Sequence, residues 1–571
     1  MKKLLCLLLA VVMVLGLMTG CGKTASEPET VAEPTTTEPV VAETIVDSNT
    51  APDLNGKTIT IMTTETWVPG LSLSDILPRF KQIEERTGCT IIWETVATDY
   101  ETVLQTRLTG DASDCPDIVL LGGTNMVQLA KYIDEDLLYD VTKAFDVCPN
   151  IKKFWEEDRS DLKGTFTYTD GGIYNLLANV YDTTDGQAKN VSINGDNALW
   201  YRADIAKELG FESYPTTMAE LHDLLAAVHK KYPNMVPMHM WDWSCWESAR
   251  VFTSAYGLHF NNEQAGNFFY ADKDGKVQYE PALEAANEWL TEMNKWYEEG
   301  LIVVGSSEDQ KIGAAATGVS FSGFYSGVTS QCEAQLKETN PDAYFLYMPF
   351  PTAEGHELTF MGRSAYGNSY AVLDNGDEDQ SRAALQFLDY AFYSDYGKYS
   401  EKAGVEGEGW SFGANGEFVP NEDYVRALLN KEAVLQESGA NIHFNAPTVS
   451  SYEVNKTWED VNAAVKAEMG YVDPMNEEQL ANWKEINAIN TAAYCPYFPS
   501  FYMTAEDLDT LNSLSADLST FTDEMLEKYI LGTSDLANFK TEFVDVLYNQ
   551  LHLQEILDIY QKYYDVYLAN S

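Results

Sequence analysis

Lys57 to Thr63 reads KTITIMT, Thr90 to Thr95 reads TIIWET, and Asp117 to Leu121 reads DIVLL. The first is β-branched and alternating, and the last is an apolar run behind one aspartate, so all three predict strands. Between them, Asp75 to Thr87 (DILPRFKQIEERT) sets Ile76, Phe80 and Ile83 on one face and stops at Gly88. Tyr100 to Leu108 reads as a second helix. Strand, helix, strand, helix, strand in that order predicts a parallel sheet of an α/β domain. The loop Gly122-Gly123-Thr124-Asn125 follows the third strand at its carboxyl end, where open α/β sheets bind ligands.

Upstream of this domain the chain changes character. Lys2 and Lys3 precede an apolar run from Leu4 to Leu17, and Leu17-Met18-Thr19-Gly20-Cys21 follows. A positive start, a short apolar run and small residues before a cut site predict a signal peptide over 1–20. Cys21 in this register resembles a bacterial lipobox, whose cysteine is lipidated. Residues 21–55 are rich in Thr, Pro, Glu and Ala and nearly lack aromatic and basic residues. Such a segment cannot bury a core, and it predicts a disordered tether.

The totals bound the rest. A chain of 571 residues is too long for one core, so two or more globular units are expected. The 88 acidic against 37 basic residues leave a net charge of −51, which argues against nucleic-acid partners, because phosphate contacts need Lys and Arg. Cys89, Cys115, Cys148, Cys245, Cys332 and Cys495 form no CxxC pair, so no zinc or redox motif is written and buried free thiols are the simpler reading. No metal or cofactor is expected.

Downstream, Thr217 and Glu220 form a capping box for a helix from Met218 to His229. Met238 to Trp246 follows as MHMWDWSCW, whose mixed spacing suggests a strand end running into a loop and then a helix. Asp272 to Lys276 reads as a hairpin turn between Phe268–Tyr270 and Val277–Tyr279, and it lacks the acidic positions of a calcium loop. Pro281 to Glu299 and Ser381 to Phe392 read as helices, Ser369 to Leu373 as a strand, and the last third as mainly helical.

Several stretches together resemble extracellular solute-binding proteins of family 1, the lipoprotein receptors of carbohydrate-type ABC importers, and within them the long LplA-like lipoproteins. They are Cys21, Leu77-Pro78-Arg79-Phe80 with Glu84 to Gly88, Pro116 to Val119, Trp200-Tyr201-Arg202, Pro215-Thr216-Thr217, Asp274 to Val277, Glu299 to Ile302, Gly404 to Trp410, and Ile559 to Asp565. Tyr201-Arg202-Ala203-Asp204 departs from the family's usual wording. The resemblance implies a two-lobed, type II periplasmic-binding-protein-like α/β fold with hinge-connected lobes, a ligand cleft and a helical C-terminal part. Residues 56–175 plus 349–412 would form one lobe, and 176–348 plus 413–571 the other.

It further implies a carbohydrate ligand, probed by aromatic faces and a few polar groups. Position relative to the strands nominates Glu65, Trp67, Thr124 and Asn125 from the first lobe. Trp241, Asp242, Trp243, Trp246, Phe324 and Tyr325 face them from the second, with Arg363 and Trp410 as further candidates. The partners implied are ABC permease subunits with a separate ATPase, and a membrane reached through a lipid anchor at Cys21. The protein would be a monomer on the outer face of a Gram-positive cell membrane. A peptide or signal-molecule receptor on the same fold and a lipid-anchored glycoside-acting enzyme stay open. The enzyme needs a matched carboxylate pair that 88 acidic residues neither identify nor exclude.

Overall fold

The computed structural model describes residues 49–570 apart from 67, 69, 109, 111–114, 124–125, 178–179, 182–198, 242–248, 260–267, 307, 325–327, 362–367, 443–445, 447, 472–474, 496–497 and 500. Its strands in chain order begin with β1 (Thr58–Thr64), β2 (Thr90–Val96), β3 (Ile118–Gly123), β4 (Leu176–Leu177), β5 (Val180–Tyr181) and β6 (Leu199–Arg202). There follow β7 (Val236–Trp241), β8 (Phe269–Ala271), β9 (Val277–Tyr279), β10 (Ile302–Ser306), β11 (Ser320–Phe324) and β12 (Phe345–Met348). The last are β13 (Phe360–Met361), β14 (Asn368–Val372), β15 (Trp410–Phe412), β16 (Phe418–Pro420), β17 (Val449–Ser450) and β18 (Tyr494–Cys495).

Among the described residues these form two five-stranded sheets, ordered β2-β1-β3-β14-β4 and β10-β7-β11-β6-β12. In each, three parallel strands lead, and the fourth strand runs against its neighbours on both sides. The shared pattern gives each sheet one end where the parallel strands finish. The first sheet is the α/β unit read from KTITIMT, TIIWET and DIVLL.

Local chemistry sets the element limits. The helix Pro78–Thr87 starts later than the sequence suggests, because Leu77 before proline is held extended. Leu73–Asp75 is a separate turn of 3-10 helix. Gly88 closes the helix at φ 75°, a left-handed stop that favours glycine. The helix Met218–Lys231 carries the full Thr217–Glu220 capping box. In the β8–β9 hairpin, the Asp272 carboxylate accepts from the backbone of Asp274 and Lys276 and from Gln278, so it is spent on the turn.

Buried side chains fall into two main cores. The first runs from Leu54 to Val180 and again from Tyr370 to Val465, and the second from Leu199 to Ala353 and again from Phe498 to Ile559. These limits correct the sequence-based division. Leu54, assigned to the tether, is buried and its N–H donates to Thr87 O at 2.8 Å. Residues 413–469, assigned to the second lobe, belong with the first: Phe418, Val425, Val449, Val454, Trp458 and Val465 all lie in its core. The chain leaves that core after the helix Tyr452–Met469, which ends at left-handed Gly470. The next helix, Glu477–Ala492, packs on β12 of the second sheet. Likewise β4 completes the first sheet, while Phe350 and Ala353 remain in the second core. Each side of the crossing has its own buried apolar core, so composition does not mark where the chain crosses.

The signal segment, Cys21 and the tether up to residue 48 lie outside the described residues. Among the described residues no helix is long and apolar enough to cross a membrane.

Candidate ligand site at the strand ends

In the first sheet the parallel strands end at Thr64, Val96 and Gly123, and Asn368 at the start of β14 lies opposite Gly123. Tyr100 knits this end together: its buried hydroxyl donates toward Met62 O at 3.1 Å and Leu120 O at 2.8 Å, bridging β1 and β3. Burial pushes its phenol well above the ordinary tyrosine value. Glu65 directly follows β1 and is exposed. Its backbone N–H donates to Val96 O at 3.1 Å, and its Oε1 accepts from the Thr95 hydroxyl at 2.6 Å. Glu65 is thus a carboxylate held at the sheet's carboxyl end by a neighbouring strand.

In the second sheet the parallel strands end at Ser306, Trp241 and Phe324. β7 and β11 are adjacent, with Met238 opposite Ser322 and His239 opposite Gly323. Their pairing is reinforced by side chains: Ser322 Oγ donates to Pro237 O at 2.7 Å, and buried His239 Nδ1 lies 2.8 Å from Ser320 Oγ. Gly323 is needed for the close approach, since a Cβ there would meet His239 O at 2.8 Å and the Trp200 ring at 3.0 Å. Phe324 next to it is half-buried, with its ring 6.2 Å from that of Phe350.

The structure treats the nominated residues unequally. Glu65 and Phe324 stand at the carboxyl ends of the two sheets, and Trp241 is the last residue of β7, its ring outside the described residues. Trp67, Thr124, Asn125, Asp242, Trp243, Trp246, Tyr325 and Arg363 all lie outside the described residues. Trp410 is corrected: it is 1% exposed and belongs to the first core. Tyr396, Tyr399, Phe412 and Phe418 surround its ring, and its indole N–H donates to Gly404 O at 2.9 Å. The glycine-rich loop before it supplies that acceptor, so the motif is a folding device.

Sequence reading passed over Asn490. It is 1% exposed, its Oδ1 accepts from Phe350 N at 3.1 Å, and its Nδ2 has no hydrogen-bond partner among the described residues. An asparagine in a polar helix carries no signal that distinguishes it. Among the described residues no cluster of His, Cys, Asp and Glu has the geometry of a metal site. Cys89 and Cys148 are buried free thiols.

The family model for bacterial extracellular solute-binding proteins matches residues 79–399, more than half of the chain. The chain is a bacterial extracellular solute-binding protein. The fructooligosaccharide ABC transporter substrate-binding protein FusA of Streptococcus pneumoniae serotype 4 is 22% identical over 519 residues, covering 86% of this chain and 87% of FusA. Among solved structures, alginate-binding protein AlgQ2 without calcium ion aligns with a TM-score of 0.65 at 19% identity, over 90% of this chain and 99% of that one. S. pneumoniae FusA in complex with kestose gives 0.65 at 18% identity, over 90% and 100%. An extracellular solute-binding protein from Bifidobacterium longum subsp. infantis gives 0.61 at 20%, over 90% and 98%. The fold is therefore the two-lobed α/β fold of solute-binding proteins, as the sequence resemblance implies, and membership of this family places the protein outside the cytoplasm.

Proposed function

We propose that this solute-binding protein captures a carbohydrate, of oligosaccharide size, between its two lobes and delivers it to the permease of an ABC importer. The observation that carries the reading is the ending of adjacent parallel strands β7 and β11 at Trp241 and Phe324, on the sheet end where this class of fold takes its ligand. Aromatic faces on a rigid strand pair suit the C–H faces of sugar rings, and a carboxylate such as Glu65 suits hydroxyls. The relatives named for fructooligosaccharide and alginate support a saccharide ligand. Lobe closure links the two sheet ends: a ligand touching both stabilises the closed form.

The protein binds without cleaving, acts as a monomer, and is tethered through lipid on Cys21 to the outer face of a Gram-positive cell membrane. A thermal-shift and calorimetry panel of fructo-, manno- and uronate oligosaccharides, with peptides as comparators, tests the ligand class. Stabilisation by saccharides that Phe324→Ala weakens supports the reading. Stabilisation by peptides alone replaces it with a peptide receptor, and release of shorter sugars replaces it with an enzyme. A Cys21→Ala protein shed into the medium supports the anchor; retention on cells overturns it.

A further inference from the structure

Tyr502 reaches from one core to the other. Phe501 and Met503 on either side of it are buried in the second core, while Tyr502 packs against the first. Its ring meets Tyr168 edge-on, with centroids 5.1 Å apart and planes at 80°. Tyr168 in turn meets Tyr174 edge-on at 6.2 Å.

The first-lobe side of this contact is firmly fixed. Tyr168 N donates to Gly172 O at 2.8 Å and Gly171 N to Tyr168 O at 2.9 Å, closing a tight turn. Gly172 leaves room for the neighbouring ring, since a Cβ there would meet Tyr174 at 2.8 Å. The Tyr168 hydroxyl donates to Asp134 at 2.6 Å and the Tyr174 hydroxyl to Asp170 at 2.5 Å. The helices Ala505–Ile530 and Leu553–Asn570, which follow Tyr502, lie against Met126–Asp134 and Ser160–Phe166 of the first lobe.

The contact also sits beside the crossovers in the chain. Tyr174 shortly precedes β4 and β5, where the chain leaves the first lobe, and Tyr502 shortly follows β18, which pairs with β13 on the second crossover. We propose that the Tyr502–Tyr168 ring pair is a pivot on which the lobes turn, kept in both open and closed forms and setting how readily the cleft closes. This rests on the solute-binding reading above. Edge-on aromatic pairs keep most of their attraction over a range of angles and separations, so two rings can roll while staying in contact. Packed helices beside them slide in the same way during shear. A contact of this kind restricts the lobes to a hinge path, and without it closure must order a looser ensemble.

Two experiments on the full mature protein decide the matter. Small-angle scattering of the ligand-free protein should show a broader distance distribution for Tyr502→Ala than for wild type, with Tyr502→Phe unchanged. Affinity for the saccharide that best stabilises wild type should fall about tenfold in Tyr502→Ala. A Tyr168→Cys/Tyr502→Cys protein joined by a short bis-maleimide should keep its affinity, with identically treated wild type controlling for native thiols. Loss of binding on cross-linking overturns the pivot, because the contact then has to open. Unchanged scattering and affinity in Tyr502→Ala, with only a lower melting temperature, also overturns it. If Tyr502→Ala does not fold, Tyr502→Leu, which keeps an apolar side chain without a ring, replaces it in both measurements. Should wild type bind no saccharide, the solute reading fails, while scattering still judges the pivot.

Discussion

Asn482 exchanges two hydrogen bonds with the backbone of Tyr347: Tyr347 N donates to Oδ1 at 2.8 Å, and Nδ2 donates to Tyr347 O at 3.0 Å. A side-chain amide here does the work of a neighbouring strand. β12 is the edge of the second sheet, and the helix Glu477–Ala492 covers it with a row of amides. Gln479 Nε2 donates to Phe345 O at 3.0 Å, and Asn490 accepts from Phe350 N. At this edge a helix takes up backbone groups that would otherwise be open to pairing with another chain.

Replacing Asn482 with leucine removes both bonds while keeping the volume. Tyr347 N and O would lose these two bonds while buried, at about 1–3 kcal/mol each. The expected result is a loss of about 2–5 kcal/mol, read as a lower denaturation midpoint. A loss below about 1 kcal/mol would show that water replaces the amide.

Arg79 is a second tie of this sort. It is fully buried in the first core, and its guanidinium donates to Ala391 O at 2.9 Å and to Gly397 O and Gly439 O at 3.4 Å. Burial lowers its pKa to about 10, with Glu401 opposing the shift, so it stays charged at neutral pH. Arg79→Leu should cost about 3–5 kcal/mol, and Arg79→Lys should recover little, since one ammonium cannot reach carbonyls spread over that fork. Comparison of thermal midpoints for the two variants checks this.

How much was legible follows from these two residues and from Trp410. The first sheet could be read because its strands and helices carry their own periodicity, and the Thr217–Glu220 box could be read because a cap is local chemistry. Arg79 was visible only as part of a recurring motif. Its carbonyl partners lie more than 300 residues away, and no local pattern reports them. Trp410 is a cleft candidate only through the family resemblance, and the four aromatic neighbours that folding brings around it make it core. Glu65 follows β1, and Trp241 and Phe324 end β7 and β11, places that sheet order alone sets.

The two kinds of tryptophan and phenylalanine can be separated by experiment. Trp410→Ala should lower stability by about 3–5 kcal/mol and leave the affinity of the folded fraction unchanged. Phe324→Ala should weaken saccharide binding with a smaller stability loss, because its ring is only half-buried. Paired calorimetry and thermal melts give both quantities, and a Trp410→Ala protein of full stability but poor affinity would return that ring to the site.

Asp389 gives the first lobe a dependence on pH. It is 5% exposed, and it accepts from Ile151 N at 2.7 Å and Asn150 Nδ2 at 2.7 Å. Burial outweighs these donors and raises its pKa from 3.8 to about 7. A carboxyl whose folded pKa lies above its unfolded one binds its proton more tightly when folded. Its contribution to stability is therefore complete below about pH 4 and fades as pH rises toward 7, above which the buried carboxylate is a standing cost. The span corresponds to a few kcal/mol, on the order of 2–4. Wild type should accordingly lose stability between about pH 4 and pH 7, and Asp389→Asn, which cannot ionise, should flatten that slope. Melting temperatures of both proteins across this window test the assignment, and parallel slopes would remove Asp389 as the group responsible.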